Sequence, residues 1–401
     1  MKNTQVLPTL VIGAATVAAL GLGYAAFQTL ERRQVGATQP LAPPDLNTPD
    51  QLDPEPVVQN PTDRPRIDVV FALDTTGSMG GMLEGAKQKI WSIADRIVSG
   101  DPRPDVRFGL VAYRDRGDAY VTRITPLSRD LDEVHQELLG LQPAGGGDGP
   151  EDVNAALAAA LDQQPWDSGE KVLKLVFLVG DAPPHDDYDG EKSWQLAARA
   201  NQSGIMVNTL RCGPDHQTAA AWEKIARASG GQFDTIAQNG GVIARATPYD
   251  AELGALNREL ADTVVGYGSS AVRAKSRRKM AARSSLSSVL GASAAAYNAK
   301  AGRMNEEDLL TQISDGKVSL DGLEEGSLPE ELQKLSVSER NARIEGLQKK
   351  RSAVKKKILA LSKKRDEHLK AAAKKDGKVS ELDDRLVKTL RTQAAAIDVA
   401  Y

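Results

Sequence analysis

The sequence predicts an α/β fold built on a doubly wound, mostly parallel sheet, and three observations predict it. Ile67–Leu73 (IDVVFAL) and Val172–Val179 (VLKLVFLV) are mainly apolar runs without strict alternation. Strands covered on both faces read this way, whereas strands with one wet face alternate. Strand-like and helix-like stretches then follow one another across 66–266, the pattern of βαβ units. Finally, both runs lead into an acid, Asp74 and, one glycine later, Asp181. Packing does not explain two separated strands that each end on an aspartate.

The elements can be read in order. After the first strand, Leu83–Val98 has helical periodicity, and Val106–Tyr113 and Ala119–Ile124 read as strands. Asp130–Leu139 and Glu151–Leu161 are expected helices on either side of a glycine-rich loop. Beyond the strand Val172–Val179 come a helix at Glu191–Gln202, a strand at Ile205–Leu210 and a helix at Ala219–Ser229. Gln232–Ile236 and Val242–Ala246 are expected as short edge strands, and Asp250–Val265 as the closing helix.

This domain has neighbours on both sides. Thr9–Leu30 carries no charge until Glu31, and its 22 residues as a helix would reach ~33 Å, enough to cross a bilayer core. Residues 1–33 are therefore expected to be a transmembrane anchor, with a signal sequence cleaved near Gly23-Tyr24-Ala25 as the rival. Lys2 precedes the run and Arg32 and Arg33 follow it, so the positive-inside rule sets no orientation. Residues 34–65 contain Pro40, Pro43, Pro44, Pro49, Pro54, Pro56, Pro61 and Pro65 and no aromatic residue, the composition of an extended linker. Anchor, linker and binding domain in that order suggest display outside the cytoplasmic membrane of a bacterial cell envelope.

On the other side, 267–330 is rich in small residues and reads as a weakly helical or disordered connector. Residues 331–401 form a basic helical tail, with 19 Lys and Arg against 10 Asp and Glu, although the whole chain has a net charge of −3. Ile344, Leu347, Val354, Ile358 and Leu361 lie at heptad spacing, and Val379, Leu382, Leu386 and Leu390 mark a second amphipathic helix after Gly377. A helical hairpin or coiled-coil arm is the expectation, serving self-association, contact with anionic lipid, or nucleic-acid binding. The last is disfavoured because no aromatic residue interrupts Leu332–Asp398 to stack on bases. The single cysteine, Cys212, excludes an internal disulfide and reads as a small buried residue.

The chemistry gathers after the first strand, at Asp74-Thr75-Thr76-Gly77-Ser78. An acid followed by two hydroxyls at spacings of two aims oxygen atoms beyond the strand's carboxyl end, where open α/β sheets bind ligands. Oxygen donors alone suit a hard cation such as Mg2+. A helix-capping turn uses the same residue types, but Asp181 is an independent match.

These residues resemble the DxSxS signature of von Willebrand factor A (vWA) domains, with Thr76 in place of the first serine. GLVAYRD, GGGDGPEDV, GDAPPH and ATPYDAEL are likewise similar to segments of bacterial vWA proteins. The resemblance covers about half of the chain. It implies a metal ion-dependent adhesion site, with Thr76 and Ser78 as direct ligands and Asp74 and Asp181 orienting bound water. Where the family carries a metal-binding threonine, Gly145–Pro150 (GGGDGP) offers Asp148, as a ligand or only as a helix cap. The expected metal set is thus Asp74, Thr76, Ser78, Asp148 and Asp181, holding Mg2+, with Mn2+ or Ca2+ as alternatives. A charged Asp148 would partly neutralise the ion and weaken its pull on an acidic partner. His185, Asp186, Asp187 and Asp189 are expected as a solvated acidic rim.

Enzyme signatures are missing. In GGMLEGAK (Gly80–Lys87) Ala86 separates Gly85 from Lys87, so no phosphate loop forms, and the chain has no HExxH or CxxC. The sequence therefore points to a non-enzymatic, membrane-tethered protein that binds a protein partner through a divalent cation, in adhesion or envelope assembly. A docking subunit of a chelatase- or AAA-type complex and a self-associating scaffold with a vestigial metal site are the alternatives.

Overall fold

The computed structural model describes residues 64–147 and 149–401. The expected anchor and most of the linker lie outside them, as does Asp148. Among the described residues no helix is long and apolar enough to cross a membrane.

Six strands form one sheet: β1 (Arg66–Asp74), β2 (Asp105–Tyr113), β3 (Thr122–Ser128), β4 (Val172–Gly180), β5 (Ile205–Cys212) and β6 (Phe233–Ile236). Their spatial order is β3-β2-β1-β4-β5-β6, and every pairing is parallel except β2 with β3. The order reverses direction between β1 and β4, so the loops leaving their carboxyl ends diverge and leave a crevice there. The buried runs seen in the sequence are the two central strands: Val69, Val70, Ala72, Leu175, Val176, Phe177 and Leu178 are all fully buried.

Helices cover both faces. On one lie α1 (Gly80–Ile97) and α2 (Leu131–Gly140), on the other α3 (Val153–Asp162), α4 (Ser193–Gln202) and α5 (His216–Ser229). β3 begins and ends later than expected and includes Pro126, which is exposed on this outermost strand, where a missing N–H breaks no ladder bond. Val242–Ala246 is not a strand. Val242 packs on α1 so closely that a Cβ on Gly85 would lie 2.7 Å from it, and Arg245 pairs with Asp376 at 2.5 Å. The segment runs along helices, away from the sheet.

The larger departures follow α6 (Asp250–Ala261). Residues 267–330, read as a connector, contain α7 (Ser270–Ser284), α8 (Ser288–Ala301), α9 (Leu309–Ser314) and, at the boundary, α10 (Glu330–Gln333). In α8 every residue from Gly291 to Ala299 is buried, and Tyr297 packs against Trp91 and Phe108 of the sheet layer. Its Ala, Gly and Ser content is what lets backbones approach: a Cβ on Gly291 would sit 3.3 Å from Gly254 Cα in α6. Small residues here mark close helix packing, not disorder.

The tail forms α11 (Val337–Asp376) and α12 (Glu381–Gln393), and these do not make a hairpin arm. Val354, Ile358 and Leu361 of α11 are buried with Leu253, Leu256 and Leu260 of α6, while Ile344 joins a satellite cluster around Leu309 and Leu328. Leu382, Leu386 and Leu390 of α12 enter the main core beside α1. Gln393 and Asn208 of β5 exchange side-chain hydrogen bonds at 2.8 and 3.0 Å. The heptad residues are real apolar faces, and their partner is the rest of this chain.

Candidate metal centre

The crevice between β1 and β4 is a cleft of about 450 Å³, lined among others by Thr76, Ser78, Gly146, Glu151, Asp181 and Thr218. β1 delivers Asp74 fully buried at its last position. The chain then turns tightly: Asp74 Oδ1 accepts from the Thr76 backbone N–H at 2.8 Å and from its hydroxyl at 2.7 Å, and Thr76 Oγ1 lies 3.4 Å from Ser78 Oγ. A 3₁₀ turn at Gly77–Met79 leads into α1. β4 delivers Asp181 just past Gly180, where a Cβ would stand 2.6 Å from Tyr113 Oη and 3.0 Å from Asp74 Cβ. Glycine is required there for the two strand ends to lie so close.

Of the five expected ligands, the structure thus gathers Asp74, Thr76, Ser78 and Asp181 at one cleft, while Asp148 falls outside the described residues. It adds a residue the sequence reading missed. Glu151, expected as the first residue of a helix, lies before α3, whose N-cap is Asp152 accepting from Ala155 N–H at 2.8 Å. Glu151 is free of helix duty and its side chain is buried in the cleft wall. A Cβ on Gly146 would come within 2.8 Å of Glu151 Oε1 and 3.1 Å of Thr76 Cβ, so the glycine-rich loop brings this carboxylate up to the hydroxyl turn. The loop is itself tied to that turn through Ala144 N–H to Thr75 O at 3.1 Å and Gly77 N–H to Gly145 O at 3.3 Å. Gly145 and Gly146, with φ of +85° and +77°, adopt the left-handed conformation the turn needs.

The loop after β4 completes the wall. Glu151 N–H donates to Pro183 O at 3.0 Å and His185 N–H to Glu151 O at 3.2 Å, so the two loops are zipped together. His185, expected on a solvated rim, is buried, stacked on Tyr188 at 3.9 Å and bonded through Nδ1 to Asp187 at 2.8 Å. Asp186, Asp187 and Asp189 do not line the cleft. On the open side Gln238 Nε2 donates to Asp181 Oδ2 at 2.5 Å and to Ser78 O at 3.3 Å.

Among the described residues no Lys or Arg pairs with the acids of the site. Asp74 Oδ2, Glu151 Oε2 and Asp181 Oδ1 are buried and find no hydrogen-bond donor among the described residues. Burial pushes Asp74 up to about 7, against the bonds from Thr76 that favour its charged form. Burial and the neighbouring acids Asp74, Asp115, Asp118 and Asp181 push Glu151 up to about 9. The Tyr113 hydroxyl, buried beside Asp74, is raised well above its ordinary value. Carboxyl oxygens stranded beside two hydroxyls are the donor set of a hard divalent cation, and the residues present fit one.

A family model for the von Willebrand factor A domain matches residues 68–241. Those residues are a vWA domain. Over 124 residues the chain is 33% identical to von Willebrand factor A domain-containing protein 7 of Homo sapiens, which covers 31% of this chain and 13% of that protein. Over 121 residues it is 28% identical to the alpha-protein kinase vwkA of Dictyostelium discoideum, covering 30% of this chain and 19% of the kinase. The similarity to these curated relatives is thus confined to less than a fifth of their length. Among solved structures, BatB from Bacteroides thetaiotaomicron is 19% identical, with 43% of this chain and 90% of that chain covered and a TM-score of 0.33. The mussel byssus protein PTMP1, described with a zinc-occupied MIDAS motif, is 17% identical with 43% and 42% covered and a TM-score of 0.34. In the vWA domain of this chain the strand-end acids and the hydroxyl turn fall on the matched span, as does Glu151.

Proposed function

We propose that this chain is a membrane-tethered, non-enzymatic binding protein whose vWA domain engages a protein partner through a divalent cation, in adhesion or assembly of a cell envelope. The observation that supports it is the trio of buried carboxyl oxygens without a hydrogen-bond partner among the described residues, on Asp74, Glu151 and Asp181, of which Glu151 and Asp181 line the cleft together with Thr76 and Ser78. Thr76 and Ser78 would hold the ion directly, with the three acids around them. A bound cation would supply a Lewis-acidic position for a partner's oxygen donor. The chain's own residues set what that donor is. Three carboxylates around one divalent charge leave the centre net negative, with Asp215 on the same wall. Such a centre favours neutral partner donors, amide or hydroxyl oxygens, over the carboxylate that a more electron-poor ion would attract. Mg2+ is the favoured ion, with Mn2+ and Ca2+ as alternatives.

The test uses the full chain in detergent. Mg2+ or Mn2+ should raise its melting temperature, and a pull-down from native envelopes should retain a protein that chelator releases. Melting curves unmoved by any divalent ion, together with partner capture indifferent to chelator, would remove the proposal.

A further inference from the structure

The outer face of α11 carries charge that the metal centre does not use. From Lys349 to Arg365 there are nine Lys and Arg and no Asp or Glu. The two types part company. Arg351 is buried and paired with Asp308 at 2.5 Å, and Arg365 is buried and paired with Asp250 at 2.7 Å. Most of the lysines turn outward: Lys349, Lys350, Lys356, Lys357, Lys363 and Lys370 are exposed, while Lys355 donates to Gly302 O at 2.8 Å. They repeat every seven residues, as Lys349-Lys350, Lys356-Lys357, Lys363-Lys364 and Lys370. Seven residues are close to two helical turns, so the pairs recur along one face at ~10.5 Å intervals. Exposed Ala353 and Ala360 fall between the pairs, with Leu359 exposed beside them. Asp366, the first acid after the run, faces Lys300 at 3.9 Å.

We propose that this lysine stripe docks on an anionic phospholipid bilayer. A straight row of point charges on flexible stems suits a plane of headgroups, and each such lysine near the surface strengthens attraction. Nucleic acid fits less well. The 40 residues of α11 contain no Phe, Trp or Tyr for base stacking, and of its arginines Arg340, Arg351 and Arg365 are buried while only Arg343 is exposed. The chain also carries an apolar run, Thr9–Leu30, expected as a membrane anchor. The inference stands apart from the metal centre and holds whether or not a cation binds there.

The experiment is lysine-acylation footprinting of the full chain mixed with liposomes of phosphatidylcholine, with or without added phosphatidylglycerol. On anionic liposomes acylation at Lys349, Lys357 and Lys363 should slow at least about tenfold, and high salt should restore it. Lys224 in α5, on the opposite face of the sheet, should not change. The variant K349E/K350E/K357E/K363E should melt like the parent and lose protection at Lys370, with apparent affinity for the anionic surface lowered by on the order of 10³-fold. Equal acylation on both lipids would overturn the proposal. So would undiminished protection of Lys370 in the variant, or equal protection by single-stranded RNA at matched phosphate concentration.

Discussion

Two acidic clusters in this molecule have opposite solutions to the same electrostatic problem. Asp130, Glu133 and Glu307 bring carboxyl oxygens within 4.8 Å of one another, a spacing that would serve a metal. Lys279 of α7 already fills it, its Nζ lying 2.5, 2.9 and 2.8 Å from the three acids with its side chain buried. Asp74, Glu151 and Asp181 are spaced more widely at the cleft between β1 and β4, and Asp74 Oδ2, Glu151 Oε2 and Asp181 Oδ1 find no hydrogen-bond partner among the described residues. The first cluster is closed and fastens the helical layer to α2. The second is open and awaits a charge from outside. Acid count does not tell a metal centre from a structural ion pair; the presence of an internal cation does.

The contrast can be broken from either side. The largest effect is expected at the closed cluster, where Lys279→Met strips the buried Asp130 of its cation, leaves Glu133 and Glu307 with Lys275 alone, and should cost ~3–5 kcal/mol in a denaturant melt. Adding Asp130→Asn and Glu307→Gln to it should recover much of the loss. If K279M melted like the parent, the cluster would not be holding the layers together. At the open cluster, Asp74→Ala should abolish the stabilisation by Mg2+, about 2.7 kcal/mol at a hundredfold excess over Kd in the parent. A differential scan with and without Mg2+ reads this directly.

The pH dependence of the chelated protein should have an unusual sign. Asp74 and Glu151 hold their protons more tightly folded, at about 7 and about 9, than at the ordinary 3.8 and 4.5 of an unfolded chain. Stability should therefore fall as pH rises from about 4 to about 9, with both acids contributing up to about 7 and Glu151 alone beyond it. Saturating Mg2+ should flatten the decline, and melts across that range would show it. The smallest shift is expected from Glu151→Gln in chelator, within ~0.5–1 kcal/mol of the parent, because the amide mimics the protonated acid. The same variant should bind Mg2+ more weakly by titration calorimetry; unchanged affinity would remove Glu151 from the centre.

What was legible in the sequence follows from how local each signal is. The buried central strands and their terminal acids announce themselves, since a run such as Ile67–Leu73 has no other stable home and Asp74 and Asp181 interrupt it visibly. Glu151 was hidden because its role depends on where a glycine-rich loop turns and on Asp152 taking over the cap, which are tertiary matters. The helix α8 was misread because burial on all sides erases the periodicity that reveals an amphipathic helix. In the tail the heptads located an apolar face correctly, but spacing alone does not say whether that face meets another chain or its own.

That last point changes where the molecule can be cut. The span that matches the vWA family ends at residue 241, yet Tyr297 packs at a tilt against Trp91, and Leu382 and Leu386 join the core beside α1. Shearing the chain after Gly266 would bare that hydrophobic wall to water and yield an insoluble fragment. The evolutionary module and the smallest piece able to stand alone are different lengths of polypeptide here.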